Sequence, residues 1–422
     1  MGEVRAPQRT LGQAEFISLL ALSVALAALG IDIMLPALGA IREELGLPAD
    51  STAVAGLVTA YFLGLAVGQI GYGPLADRFG RRPMLYVGYS IYAVGALASA
   101  LAPTLAWLLL SRFVWGLGAA GPRVVTIAVI RDTFSGDRMA RAMSLVMAVF
   151  LLVPLVAPTF GAAVVALGSW RWVFGVCVLG VAVMSLWAMR LPETLRPEHR
   201  LELRFRRIAR AARFVVTDRQ TVGYMLAMTT LFGAFMAYIA SSEIVIGRTF
   251  ERPGAFPFIF GGLALVMGIA ILGNARVVGR VGTRRLAHLA LLVYVATSGA
   301  LVAVAVASAG RPPLALFLVL MAVLLASHAL LIPNLNTVAM ATMAPVAGTA
   351  SSIIGSVQVA VGAVLGSVID HAFDGTMLPL AVGFVGYGLV ALAIVLVVER
   401  GRLFGPLERP VPDVPPPPVA EA

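Results

Sequence analysis

Apolar runs of about 20 residues recur along the whole chain, separated by short polar joints, and each is long enough to cross a hydrocarbon core. That pattern excludes most folds. Lipid offers no water to satisfy backbone N–H and C=O groups, so such runs must bond internally as helices. The chain has 422 residues, is 60% hydrophobic and has a mean hydropathy of +0.94. Soluble domains of that size do not have this composition. The longest polar stretch, from Arg190 to Gln220, is too short for an appended soluble catalytic domain. The expected fold is all-α and integral to a membrane. Its twelve transmembrane helices fall near 16–36, 53–72, 84–101, 105–130, 139–167, 172–189, 222–246, 256–278, 286–307, 313–337, 347–369 and 378–398.

The formal charge of +10 does not point to nucleic acid, because the distribution of the cations explains it. All 31 basic residues are arginine. With loops assigned to alternate sides, the arginines gather on the side that carries both termini, the loop after Gly71 and the Arg190–Gln220 segment. Basic residues accumulate in cytoplasmic loops, which places both termini in the cytoplasm and requires an even number of spans. Arg5 and Arg9 precede the first apolar run, which reads as a retained span because it is too long for a signal-peptide core. The single Cys177 excludes an internal disulfide. No metal-ligand cluster, phosphate loop or nucleophile–base arrangement is present, so the chain is not expected to be an enzyme or to need a cofactor.

The central Arg-rich segment divides the spans six and six. The expected domains are an N-terminal six-helix bundle (1–190), a cytoplasmic linker (191–220), a C-terminal six-helix bundle (221–399) and a disordered tail (400–422). Arg204, Arg206, Arg207, Arg210 and Arg213 suit either an amphipathic helix lying on anionic lipid or a solvated linker. A weak repeat supports the two halves: Arg78-Phe-Gly80 with Arg82 returns as Arg280-Val-Gly282 with Arg284, 202 residues later. Halves of common origin place a solute site near the midplane between them.

Ionisable residues inside spans are costly, about 2.5–3.5 kcal/mol on insertion scales, and so mark function. Four stand out: Asp32, Arg112, Arg123 and Glu243. Arg112 and Arg123 are 11 residues apart. At about 100° per residue that puts them on one helix face. Asp32 and Arg112 lie at similar depths, close enough to pair. Glu243 is expected either to face solute or to be a boundary carboxylate held by Arg248 or Arg252. The fifth span carries Pro154, Pro158 and Gly161, which allow a kink and close helix contact and so suit a gating helix. In the second half, Met228, Phe232, Phe235 and Tyr238 form an adaptable apolar stripe, and Asn334, Asn336 and Gln358 add polar groups. The stripe fits either a cavity wall or ordinary helix packing. His328 is expected to be a packed histidine.

Between the second and third spans lies Gly71-Tyr-Gly73-Pro-Leu-Ala-Asp77-Arg78-Phe-Gly80-Arg81-Arg82. Topology needs only arginines, so Asp77 argues for a further role. Arg78 and Arg81 are expected to reach acids such as Asp132, forming a conformational latch that favours one state over another. These residues resemble the loop signature of the major facilitator superfamily, and more narrowly of its twelve-span drug:proton antiporters, the bicyclomycin/chloramphenicol-resistance subgroup. Ile31-Asp32-Ile-Met-Leu-Pro36 is similar to the first-helix signature of such exporters, and Arg112 to the fourth-helix arginine, with Trp115 where glutamine is usual. Ala157-Pro158-Thr-Phe-Gly161-Ala162 resembles the antiporter motif with alanines replacing two glycines. Ser169-Trp-Arg-Trp-Val-Phe174 and Leu191-Pro-Glu-Thr194 fit the same subgroup.

The resemblance implies proton-coupled efflux of small amphipathic or apolar compounds from the bacterial inner membrane, hence antibiotic resistance, by a carrier that acts as a monomer. Its partners would be a small-molecule substrate and the lipid bilayer, with protons as the coupling ion. It implies Asp32 and Arg112 as proton-coupling residues, and the position of Glu243 in its span makes it the candidate for a second proton site. Asp32, Arg123 and Glu243 would join the cavity residues named above, and Gly73, Asp77, Arg78, Gly80, Arg81, Arg82 and Asp132 would form the latch. A dedicated metabolite transporter with different or no proton coupling is the alternative.

Overall fold

The computed structural model describes residues 11–195, 198 and 205–405. Among them there is no β-strand, and twelve helices are long and apolar enough to cross a membrane. Each expected span has a counterpart. The helices are α1 (Gln13–Asp32), α2 (Leu38–Glu44), α3 (Gly56–Phe79), α4 (Arg81–Ala100), α5 (Leu105–Thr133), α6 (Gly136–Leu167), α7 (Arg171–Trp187), α8 (Phe205–Thr217), α9 (Arg219–Ile244), α10 (Phe256–Val281), α11 (Thr283–Ala307), α12 (Leu314–Met340), α13 (Ala347–His371) and α14 (Leu378–Val398). The two that are too short to span are α2, which extends the first crossing, and α8, in the central linker.

Two boundaries correct the sequence expectation. The first span does not stop at Pro36. It breaks at Asp32, passes through a 3-10 turn at Leu35–Ala37 and continues as α2 to Glu44. Pro36 has no N–H to donate to the Asp32 carbonyl four residues back, which ends the regular ladder there. The charged joint of Gly71–Arg82 is also almost wholly helical. The α3 helix runs through Asp77 to Phe79, α4 starts at Arg81, and Gly80 alone interrupts them with φ 108° and ψ 159°. That conformation is essentially restricted to glycine.

The described residues pack into two compact units. The first holds those up to residue 198 together with Met236–Leu265 and Gly366–Thr376; the second holds 205–235, Val266–Leu365 and those from 377 onward. In the first, α5 is central, flanked by α3 and α4. Close approach explains this: a Cβ on Gly64 would overlap the Phe113 carbonyl, and one on Gly116 would overlap the Tyr61 carbonyl. Small residues let helix backbones touch where lipid gives no hydrophobic drive to associate. Around that seam Trp115 makes edge contacts with Tyr92 at 5.3 Å, Phe174 at 5.6 Å and Tyr61 at 6.1 Å. Each such pair contributes about 0.5–1.5 kcal/mol beyond its burial. Large apolar side chains such as Ile70, Leu110 and Leu179 point outward, as the lipid-facing side of a span requires.

In the second unit, α11 packs against α12 and α14. Val215 of α8 is buried against Met343 and Ala350, while Arg210 and Arg213 are exposed. Arg204, the side chains of Arg206 and Arg207, the N-terminal Arg5 and Arg9, and the tail from 406 onward lie outside the described residues.

Candidate functional site

The break in α1 is the centre of the site in the first unit. Past Asp32 the backbone N–H groups change partners: Ile33 still donates to Leu29 at 3.2 Å, but Met34 donates to Ile31 at 3.3 Å. The Gly30 carbonyl is thereby released from its helical partner. Arg112 Nη1, reaching across from α5, donates to it at 2.7 Å, and Arg112 Nε points to the Leu57 carbonyl at 3.4 Å. The guanidinium is fully buried and lies over the rings of Tyr61 (4.5 Å) and Trp115 (4.7 Å). Ring faces attract a cation, most strongly where water is excluded. Trp115 therefore supports the arginine from a position where glutamine is usual.

Asp32 is buried, 5% exposed, and among the described residues no cation lies within ion-pair distance of it. The expected Asp32–Arg112 pair is not formed. The helix break supplies a closer acceptor, the Gly30 carbonyl, and the arginine takes that instead. Tyr61 and Tyr238 lie within electrostatic reach of Asp32. Other side chains also hold α1 by its carbonyls: Tyr61 donates to Ala27 at 2.8 Å and Tyr92 to Leu26 at 3.0 Å. Gly161 of α6 lies so close to the break that a Cβ there would overlap the Ile33 carbonyl. Pro154 and Pro158 sit inside the same continuous helix. The α6 helix is thus tied to the residue next to Asp32.

Arg123 shares the face of α5 with Arg112 and is partly buried, without a hydrogen bond or ion pair among the described residues. Glu243, at the end of α9, pairs with neither Arg248 nor Arg252. Its partner is Arg42 at 3.2 Å, which also donates from Nε to the Ser51 carbonyl at 2.9 Å. Arg42 stands on α2, beyond the point where the first span was expected to end. Tyr238 stacks on Phe260 at 5.6 Å.

The charged cluster around Gly80 is a separate centre in the first unit. Arg81 donates to Asp77 at 2.5 Å and to Asp132 at 2.8 Å, joining α3, α4 and α5. Arg78 does not reach Asp132; it lies over the Phe79 ring at 5.2 Å. Glu193 accepts from the backbone N–H groups of Arg81 (2.9 Å) and Arg82 (3.1 Å), so a carboxylate caps the positive end of α4. Arg82 donates to the Met189 carbonyl at 3.0 Å. A Cβ at Gly73 would meet nothing within 4 Å.

In the second unit, Met228 is fully buried. Phe235 stacks on His328 at 4.7 Å and tilts toward Phe232 at 6.0 Å. Asn334 donates to Asn274 and to the Leu330 carbonyl, both at 2.7 Å. Asn336 is exposed and Gln358 is partly buried. The residues expected to face solute thus divide between the units: Asp32, Arg123, Tyr238 and Glu243 in the first, and the remaining six in the second. No group of three or more His, Cys, Asp or Glu is placed to hold a metal ion among the described residues.

The profile described as "Major Facilitator Superfamily" matches residues 20–367. The chain belongs to the major facilitator superfamily. It is a multi-pass membrane transporter and not an enzyme. Over 367 residues it is 31% identical to a bicyclomycin resistance protein homolog of Haemophilus influenzae, covering 86% of this chain and 91% of that protein. It is 31% identical over 258 residues to a chloramphenicol resistance protein of Pseudomonas aeruginosa, covering 61% and 59% of the two chains. These relatives match the drug-resistance subgroup that the sequence motifs resemble. The fold is that of the human organic anion transporter MFSD10, with a TM-score of 0.69 at 18% identity over 93% of this chain and 100% of that one.

Sequence reasoning missed several members of this transporter's network. Glu193 was noted as part of a motif but not as the cap of α4. Tyr61 and Tyr92 carried a usable signal, since a phenol buried in a span needs an acceptor. Asp370, near the end of α13, fell one residue beyond the expected eleventh span and was not considered.

Proposed function

We propose that this transporter exports small, at least partly apolar compounds in exchange for protons. It would work in the bacterial inner membrane as a monomer with both termini cytoplasmic, and bind no cofactor beyond the coupling ion. The observation that carries this reading is the buried Asp32 at the broken end of α1, beside an arginine held by a neighbouring carbonyl. A carboxyl group out of water is stable neutral, and an approaching arginine favours its anion. Arg112 needs only to exchange the Gly30 carbonyl for the Asp32 carboxylate, two residues along the same backbone, to expel a proton. Residue 33, against which Gly161 packs, lies next to Asp32, so movement of α6 and proton occupancy would be felt together. The names of the two bacterial relatives support bicyclomycin- and chloramphenicol-like compounds as the substrate class. The Arg81 cluster would latch one conformation, and Glu243 with Arg42 would form a second charged tie. Positive-inside arginines support the orientation.

The test is drug transport in proteoliposomes under an imposed pH gradient, with chloramphenicol and bicyclomycin as probes. Wild-type protein is expected to respond to the gradient, and Asp32→Asn to lose the response. One proton moved per cycle contributes about 2.3 kcal/mol per 100 mV, close to a fiftyfold difference in accumulated drug. Indifference of the wild-type protein to the gradient would exclude antiport and favour a metabolite carrier without proton coupling.

A further inference from the structure

Asp370 is 2% exposed and lies in the last turn of α13. Its Oδ1 accepts from Ser241 Oγ on α9, and Ser241 is itself 4% exposed. Its Oδ2 is buried and has no hydrogen-bond partner among the described residues. The serine therefore holds the side chain in place and leaves one oxygen aimed into the packed interior.

Among the described residues, none of the charged groups named on the neighbouring elements pairs with Asp370. On α9, Glu243 is held by Arg42 at 3.2 Å. Next along α13, His371 turns to the Ser367 carbonyl at 2.6 Å. In the loop that follows, Asp374 accepts from Thr376 Oγ1 at 2.6 Å. Arg248, in the turn that continues α9, makes no ion pair with Asp370. Among the described residues no cation pairs with Asp370, and the carbonyl end of a helix adds partial negative charge where it sits. A bare carboxylate would stand there without a donor on Oδ2, a costly arrangement away from water.

Asp370 is also placed near the site already described. Ser241 lies one turn along α9 from Tyr238, the phenol within electrostatic reach of Asp32, so the two residues occupy the same helix face. All four residues belong to the first unit.

We propose that Asp370 is a second proton-binding carboxyl group, carrying its proton on Oδ2 and held by Ser241 on the face of α9 that also bears Tyr238. The step is the simple exchange of Asp370–COOH for Asp370–COO⁻ and H⁺. The use of that proton in transport rests on the antiport reading; its presence does not.

The test is infrared titration of the purified full-length protein with no substrate added, the proton being the only probe. The wild-type spectrum should hold a titrating carboxylic C=O band that disappears in Asp370→Asn and persists in Asp32→Asn. Ser241→Ala should move the frequency of that band without abolishing it, because the hydrogen bond to the same carboxyl group is lost. A set of titrating bands unchanged in Asp370→Asn overturns the proposal. If that variant does not fold, a band unmoved in Ser241→Ala overturns it. A wild-type protein indifferent to a pH gradient in proteoliposomes would sink the antiport reading alone and leave these spectra as they stand.

Discussion

Gly80 separates α3 from α4 at φ 108°, and Gly282 separates α10 from α11 at φ 88°. The two stand 202 residues apart in a sequence repeat, one in each compact unit. Their backbones agree, but their surroundings do not. Around Gly80, Arg81 bridges Asp77 and Asp132 while Glu193 caps α4. At the second corner Gly279 stands where Asp77 would be and Thr283 where Arg81 would be. Arg284 meets Glu399 at 3.4 Å instead, and Glu399 also accepts from Tyr224 at 2.5 Å. A tight helix–helix corner needs only the glycine. The arginine ties are an addition to it: Arg81 bridges two carboxylates, whereas Arg284 meets a carboxylate that it shares with Tyr224.

Substitutions at the two corners put that difference to the test, each read as thermal unfolding of the purified protein in detergent. The largest effect is expected at Gly80→Ala. Its Cβ would sit 2.6 Å from Glu193 Oε2, in a backbone conformation suited only to glycine. Strain of about 2 kcal/mol and disrupted charged hydrogen bonds worth about 2 kcal/mol add to about 4. Gly282→Ala meets no atom within 4 Å. It should cost the strain alone, about 2 kcal/mol. Equal losses at the two glycines would remove the distinction between the corners.

Arg81→Ala comes next. It strands Asp132 and Asp77, whose side chains are 23% and 40% exposed. Partial solvation holds the loss to about 3 kcal/mol, the low end for breaking a buried pair. Arg284→Ala should cost about the same, roughly 3 kcal/mol: Glu399 is more buried, its side chain 9% exposed, but Tyr224 still donates to it. A loss at Arg284 well below that at Arg81 would show that Tyr224 carries Glu399 by itself. The smallest effect is expected for Glu193→Gln. It keeps an acceptor but removes the charge at the start of α4, for about 1 kcal/mol.

The span positions were legible in the sequence because a membrane imposes a minimum apolar length, and little else in a chain satisfies it. Asp77 was legible for a related reason: a carboxylate among topology-determining arginines needs its own explanation. The interior partners were harder to read. Arg112 was expected at Asp32 and bonds the Gly30 carbonyl, because a broken helix exposes acceptors that no residue-type pattern displays. Glu243 was open between facing solute and a local arginine, and its partner, Arg42, lies on α2, beyond the expected end of the first span. Asp370 passed unnoticed because a single carboxylate at the edge of an apolar run resembles an ordinary boundary residue until its burial is known.

From its sequence alone this chain was bound to cross a lipid bilayer many times as helices, since backbone amides in hydrocarbon have no other way to be satisfied. The same sequence determined that a few charges would sit inside those helices. Which acceptor each charge meets was decided only by tertiary packing. Hydrophobic length is summed along the chain, whereas a partner for a buried ion depends on distances of a few ångströms between segments far apart in sequence.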